Sequence, residues 1–250
     1  MKLQKTLLAL ALLASAAVTD TAQATLIDNG NGLLYDNVLN VTWLQDANYA
    51  KTSGYSDTGK MDWAAANTWA AQLNVDGLSG WRLATNTPID GSASYNTNYS
   101  FNGSTDYGYN ITSPHSELAY MYNVNLGLKD YFSATNVYQP TFGVFGNGTL
   151  NGVNQNSYGQ ANVGLVQNLQ SFAYWSGAEY SPGSGIAWNF NTLYGTQDYG
   201  YKNNPGWYAW AVHPGDVFAV TSVPEPSIIW LFCSGLGLLA LTRRRKLKIA

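Results

Sequence analysis

Two apolar segments, one at each end of the chain, decide which part of it can fold in water. At the N-terminus Lys2 and Lys5 precede an apolar run from Leu7 to Val18, and Ala22-Gln23-Ala24 supplies the small residues a signal peptidase accepts. Charge, apolar core and small-residue exit stand in secretory order, so residues 1–24 are expected to be removed by signal peptidase. At the other end Val223-Pro224-Glu225-Pro226-Ser227 is followed by an apolar stretch from Ile228 to Leu241 and then by Arg243-Arg244-Arg245-Lys246. That stretch is 14 residues, about 21 Å as a helix against a hydrocarbon core of about 30 Å. It suits a transient stop-transfer better than a permanent span. The clustered cations stay cytoplasmic by the positive-inside rule, which leaves everything before Pro224 on the outer side of the inner membrane.

A Pro-Glu-Pro tripeptide, a short apolar segment and a basic tail in that order closely resemble the PEP-CTERM signal of Gram-negative bacteria. The resemblance makes Val223, Pro224, Glu225 and Pro226 the sorting motif. It also implies an exosortase-type membrane protease as processing partner. The expected course is export, transient anchoring in the inner membrane through residues 223–250, then release to the cell surface or extracellular matrix.

Between the two signals lies one expected domain over residues 25–222, long enough to bury a sizeable core. Thr25 to Pro224 holds five cations (Lys51, Lys60, Arg82, Lys129, Lys202) against thirteen carboxylates, a net charge near −8. Nucleic acid and anionic membranes need clustered positive charge, so neither is an expected partner. The sole cysteine, Cys233, falls in the anchor segment. The exported part therefore has no disulfide, thiolate metal site or cysteine nucleophile, and its stability must come from packing. Eight of the nine tryptophans lie there, and side chains of that kind bury large areas.

Periodicity gives a coarse α+β inventory. Gly32 to Tyr35 and Leu39 to Leu44 flank an Asp36-Asn37 corner and read as a hairpin. From Asp62, a capping residue, the period becomes helical: Trp63, Ala66, Ala70 and Leu73 share a face with Ala65 and Trp69 beside it, and the helix ends near Asn74. Residues 86–112 are rich in Asn, Ser, Thr, Gly and Tyr without a period and read as a long surface loop or weakly ordered insertion. Ser113-Pro114 offers a cap and a first-turn proline for a second helix reaching about Asn125. Phe172 to Tyr180, Gly185 to Leu193 and Trp207 to Val212 read as strands of an antiparallel sheet.

Seven blocks in order carry a further resemblance: GLLYDNVLNVTWLQDANYA (32–50), MDWAAANTWAAQL (61–73), GWRLAT (80–85), SELAYMY (116–122), YWSGAEY (174–180), AWNF (187–190) and YAWAVHPGDV (208–217). This series resembles the Lcl C-terminal-like domain family of bacterial surface proteins. The resemblance implies a C-type-lectin-like domain: two helices on a small antiparallel sheet whose end strands bring the termini together. One group of that family resembles an adhesin that binds sulfated polysaccharide through a positively charged surface; this chain is acidic.

The chemistry of the exported part is sparse. A lectin-type calcium site needs carboxylates in its Glu-Pro-Asn and Trp-Asn-Asp strings, and here the nearest strings, Gln139-Pro140-Thr141 and Trp188-Asn189-Phe190, lack them. No metal and no cofactor is expected. His213 reads as a strand-end polar residue and His115 as part of a helix cap rather than members of a triad. Glu117 and Glu179 are the only exported glutamates. They could serve a carbohydrate-active hydrolase as a carboxylate pair. The structural alternatives are support of a helix start by Glu117 and, for Glu179, anchoring of a strand or pairing with Arg82, whose expected duty is a buried ion pair. Trp43, Trp63, Trp69, Trp81, Trp175, Trp188 and Trp210 read as core. Trp207, Tyr208, Tyr199 and Tyr201, with Tyr95, Tyr99, Tyr107 and Tyr109 in the loops, are the aromatics left to meet a ligand, and flat rings suit sugar faces. The resulting expectation is a non-enzymatic surface or matrix protein, with extracellular polysaccharide as its partner.

Overall fold

Asp36 shows how local sequence sets the frame. Its buried carboxylate accepts from the Val38 and Leu39 amides, closing the corner between β2 (Leu33–Asp36) and β3 (Val41–Leu44). The expected hairpin is present, with Leu34 opposite Trp43. The computed structural model describes residues 26–143 and 160–218. The signal peptide and the sorting segment from Ser222 onward lie outside the described residues. One compact unit extends to Val217, and the unit beginning at Phe218 is described only at that residue.

Two sheets carry the domain. The first has the order β1 (Leu26–Gly30), β2, β3, β14 (Ala211–Pro214), β5 (Arg82–Leu83), antiparallel throughout. Strand β14, at the C-terminal end of the unit, pairs with β3 near its N-terminal end, so the two ends of the fold meet in one sheet. The second sheet has the order β4 (Lys60–Met61), β13 (Trp207–Tyr208), β10 (Ala173–Glu179), β11 (Ile186–Asn191), β12 (Thr196–Tyr201), β7 (Tyr107–Gly108), β6 (Tyr99–Ser100). It is mixed rather than purely antiparallel, since β10–β13 and β6–β7 run parallel. A separate hairpin, β8 (Gln160–Val163) with β9 (Val166–Gln170), stands beside them.

The span from Trp207 to Val212 is not one strand. It divides into β13 in the second sheet and β14 in the first, and buried Ala209 and Trp210 form the link. Trp210 donates its indole N–H to the Leu44 carbonyl at 2.7 Å, so the crossing itself ties the sheets together. Trp43, Trp175, Trp188 and Trp210 are fully buried. Each such side chain removes about 150 Å² or more from water, on the order of 4 kcal/mol.

Helices are few and short. After α1 (Tyr49–Thr52), α2 (Trp63–Gln72) starts where expected: the Ala65 amide donates to the Asp62 carboxylate at 2.8 Å. Ala66, Trp69 and Ala70 are its buried face, whereas Trp63 stays half-buried and donates to the Ser176 carbonyl. Trp69 and Trp81 are buried, as their patterns indicate.

The second helix begins later than Ser113-Pro114 implies. Asn86 bridges to Ser116, and the Thr87 amide donates to the His115 carbonyl, which holds that stretch extended. Helix α3 therefore runs over Glu117–Tyr120 with Ser116 at its cap and widens into a π-helical turn, Met121–Asn125. The span 86–112 also departs from the surface-loop expectation. It contributes β6 and β7 to the sheet edge. Buried Asp106 staples it by accepting from the Ile89 and Asn96 amides at 2.8 and 2.7 Å. Burial raises the Asp106 carboxyl above its usual range, and these two amides oppose that.

Candidate functional site

Alternation along β11 and β12 sorts their aromatic side chains by face. Trp188 stands opposite Tyr199, and side chains two residues apart share a face, so Tyr201 lies on the same side as Tyr199. Trp188 is covered there: Tyr95, whose hydroxyl donates to the Asn86 carbonyl, packs on it at 5.0 Å between ring centres, and Tyr180 at 5.2 Å. Beyond this covered indole the tyrosines emerge. Tyr180, at the end of β10, meets Tyr199 at 4.5 Å, Tyr199 meets Tyr107 at 5.1 Å, and Tyr107 meets Tyr99 at 4.8 Å. The four rings form an unbroken half-exposed row across β10, β12, β7 and β6, with Tyr99 46% exposed at its end.

The rings are inclined to one another rather than coplanar, by 50°, 55° and 77° along the row. Asp198 is the carboxylate beside it. It accepts from the Tyr199 amide at 2.7 Å, and burial raises its carboxyl above the usual range. Burial and then the Asp198 charge push the Tyr107 phenol up to about 12, and Tyr99 rises for the same leading reason. Among the described residues the cation–ring contacts lie elsewhere, with Lys60 over Phe172 and Tyr208 and Lys202 over Trp63.

The aromatics singled out in the sequence therefore divide. Tyr199 belongs to the row and Tyr201 is 71% exposed beside it. Trp207 and Tyr208 turn inward. Trp207 is half-buried against Trp175 at 4.2 Å and lies so close over Gly200 that a Cβ there would collide with its ring. Tyr208, 9% exposed, packs on Tyr174. Of the loop tyrosines, Tyr107 and Tyr99 join the row, whereas Tyr109 is buried. Tyr180 and Asp198 escaped sequence reasoning. The Ser181-Pro182-Gly183 turn after Tyr180 is the signal that marks it as a strand end leaving the core.

The two glutamates are held in separate ion pairs. Glu117 receives both terminal nitrogens of Arg82, at 2.7 and 2.6 Å, and the Thr85 amide at 2.7 Å. This fork, led by the hydrogen bond to Glu117, holds the Arg82 pKa above its ordinary value. Arg82 thus meets its expected ion pair, with Glu117 rather than Glu179 as the partner. Glu179 pairs instead with Lys202 at 2.6 Å and accepts from the Gly183 amide. Those contacts, the lysine first, lower its pKa. His213, at the end of β14, sets its ring nitrogens near the Pro214 and Ser79 carbonyls, at 2.8 and 3.1 Å. His115 contacts the Thr87 hydroxyl.

Asp130 is the most perturbed carboxyl with a resolved value. It is 1% exposed, accepts from the Asn110 amide through Oδ2, leaves Oδ1 unpartnered, and is pushed by burial to about 8. No group of three or more His, Cys, Asp or Glu side chains able to hold a metal occurs among the described residues. Phe190 of the Trp188-Asn189-Phe190 string is buried in the core against Tyr122. Two small surface pockets, of about 320 and 210 Å³, lie away from the row, around Trp69 and Tyr55 and around Asp46 and Tyr49.

Residues 222–246 match the family model of the PEP-CTERM protein-sorting motif. The match includes Val223, Pro224, Glu225 and Pro226 and marks the chain as an exported protein sorted by an exosortase. No curated protein and no solved structure matches the chain. Among the described residues no helix is long and apolar enough to cross a membrane; the apolar stretch 228–241 lies outside them.

Proposed function

We propose that the exported part is a non-enzymatic, lectin-like surface module that binds extracellular polysaccharide through the row Tyr180–Tyr199–Tyr107–Tyr99. The observation that carries this reading is the row itself: four half-exposed rings in unbroken contact along one sheet. Aromatic faces take the apolar faces of sugars, and phenolic hydroxyls reach sugar hydroxyls. The lectin-like reading is supported by the pairing of β3 with β14, which joins the ends of the fold, and by the two helices α2 and α3. The anchor is transient in this reading, because the apolar stretch of 14 residues is short for a span.

The ion pairs favour binding over hydrolysis. A glycosidase acid must carry a proton near neutral pH, yet Glu179 is held below the usual carboxylate range by Lys202. Both oxygens of Glu117 are committed to Arg82. A glycan array on the surface-released protein, read for both retention and product release, tests the reading. Retention without turnover is expected. Turnover that disappears in a Glu117→Gln, Glu179→Gln double variant would replace it with a hydrolase. Mass spectrometry of the same material checks the sorting step, where peptides beyond Ile228 are expected to be missing.

A further inference from the structure

The two surface cavities away from the tyrosine row share their walls. Helix α1 and the turn after it form one wall: Thr52 lines the cavity of about 210 Å³ and Ser53 the one of about 320 Å³. The segment leaving α2 forms the other, where Asn74 lines the larger cavity and Val75 the smaller. Successive residues on both walls therefore open into both cavities, which makes one groove of them. The larger cavity stands at the lower end of the range of small-molecule sites, about 300–1,000 Å³.

Backbone hydrogen bonds fix both walls. The Gly54 amide donates to the Lys51 carbonyl and the Ser56 amide to the Ala50 carbonyl, both at 2.9 Å, around a left-handed Gly54 with φ of 78°. They hold Tyr55 between them, 50% exposed and touching no other aromatic ring among the described residues. On the other wall Val75 and Leu78 exchange amide–carbonyl bonds at 3.0 and 2.9 Å, and the Gly77 amide donates to the Asn74 side chain at 2.9 Å. An exposed ring on a pinned turn has little left to order when a ligand arrives.

The lining selects the ligand. The larger cavity carries no charged side chain; it offers Tyr55, the amides of Gln72 and Asn74, and the Ser53 hydroxyl. Trp69 also lines it, 2% exposed, and its indole N–H is buried without a partner among the described residues. Such an open donor costs free energy that a ligand oxygen recovers on reaching it. The smaller cavity adds the amides of Asn31, Gln45 and Gln167 and two carboxylates, Asp46 and Asp76, without a cation. Asp46 is committed to the Asn48 amide and the Thr52 hydroxyl, at 2.8 and 2.6 Å. Side-chain amides offer both donors and acceptors to ligand hydroxyls, and an exposed ring meets an apolar face. Carboxylates without a cation turn anionic ligands away.

We propose that this groove is a glycan site of its own, taking linked units of a neutral saccharide chain, with a sugar ring on Tyr55 and hydroxyls on the Gln72 amide and the Asn74 amino group. The groove shares no residue with the tyrosine row, so the two sites stand or fall separately.

Nuclear magnetic resonance of the nitrogen-labelled exported protein tests it, with cellohexaose, laminarihexaose and mannohexaose as neutral probes and hexagalacturonic acid as the anionic one. At least one neutral hexamer is expected to shift the Trp69 indole and Gln72 side-chain amide signals, and the acid to bind about tenfold more weakly or worse. Tyr55→Ala is expected to weaken that binding by about tenfold with a melting curve near wild type. A Tyr107→Ala, Tyr199→Ala double variant is expected to leave the shifts at Trp69 and Gln72 in place. Shifts confined to the row, lost in that double variant and unaffected by Tyr55→Ala, would overturn the groove and leave the row standing. Binding of the acid in the groove as tightly as the neutral hexamers would overturn the neutral class. No shift at Trp69 or Gln72 with any neutral hexamer would overturn the groove as a glycan site.

Discussion

Four tryptophans and four tyrosines of this domain make equally close ring contacts in different surroundings. Trp43, Trp175, Trp188 and Trp210 are fully buried, and two of them, Trp175 and Trp210, donate indole N–H groups to carbonyls of distant strands at 2.9 and 2.7 Å. Tyr180, Tyr199, Tyr107 and Tyr99 touch one another just as closely, yet remain half-exposed on a sheet edge. Contact between aromatic rings is thus not by itself a sign of core. What separates the sets is whether the ring is enclosed on both faces. These four indoles help hold a cysteine-free fold together, and these four phenols are left at the surface.

The largest expected effect sharpens this division. Trp175→Ala or Trp210→Ala removes a fully buried ring together with a hydrogen bond and should cost about 3 to 5 kcal/mol in chemical denaturation. Tyr107→Ala, on the other side of the comparison, should cost about 1 kcal/mol or less. Similar losses for both would abolish the distinction.

Next in size is the ion pair that fastens β5 to α3. Glu117→Gln breaks a two-pronged contact with Arg82 and should destabilise the domain by about 2 kcal/mol. Exposure of 38% on the Arg82 side chain keeps the loss below that of a fully buried pair. Lys202→Ala at the second pair, whose carboxylate is the more exposed of the two glutamates, should cost less than Glu117→Gln, which thermal unfolding of both variants can compare.

A smaller, graded effect comes from Asp130. Its folded pKa, about 8, lies above the unfolded value near 4, so the folded state binds the extra proton between them. Its contribution is fully present below about pH 4 and is lost as pH rises through about 8, at no more than about 1.4 kcal/mol per pH unit. Melting temperature should decline across that window, and Asp130→Asn should flatten the decline. A wild-type curve flat from pH 4 to pH 8 would remove Asp130 from this account.

Much of the frame was legible because it is written locally. Asp62 capped the helix it preceded, the Asp36 corner closed a hairpin, and strands β10 and β11 matched their aromatic runs. What stayed hidden depends on distant partners. Asp106 turned a Tyr- and Asn-rich stretch into ordered edge strands by binding amides ten and seventeen residues away. The Asn86–Ser116 bridge delayed α3 past its apparent cap, and Trp210 divided one apolar run between two sheets. Strand β12 was missed because Thr196-Gln197-Asp198-Tyr199-Gly200-Tyr201 has no apolar alternation; its buried Gln197 is satisfied instead by Ser116 and the Asp106 carbonyl. For the candidate site, Tyr199, Tyr107 and Tyr99 were visible as exposed-type aromatics. Tyr180 and the inward turn of Trp207 and Tyr208 required the strand pairing.

Binding through the tyrosine row predicts a difference in retention on the host's own matrix polysaccharide between the surface-released protein and a Tyr107→Ala, Tyr199→Ala double variant, with melting curves recorded on both. Retention is expected to fall at least about tenfold while the melting curve moves by no more than a few degrees. Unchanged retention by a folded double variant would contradict it.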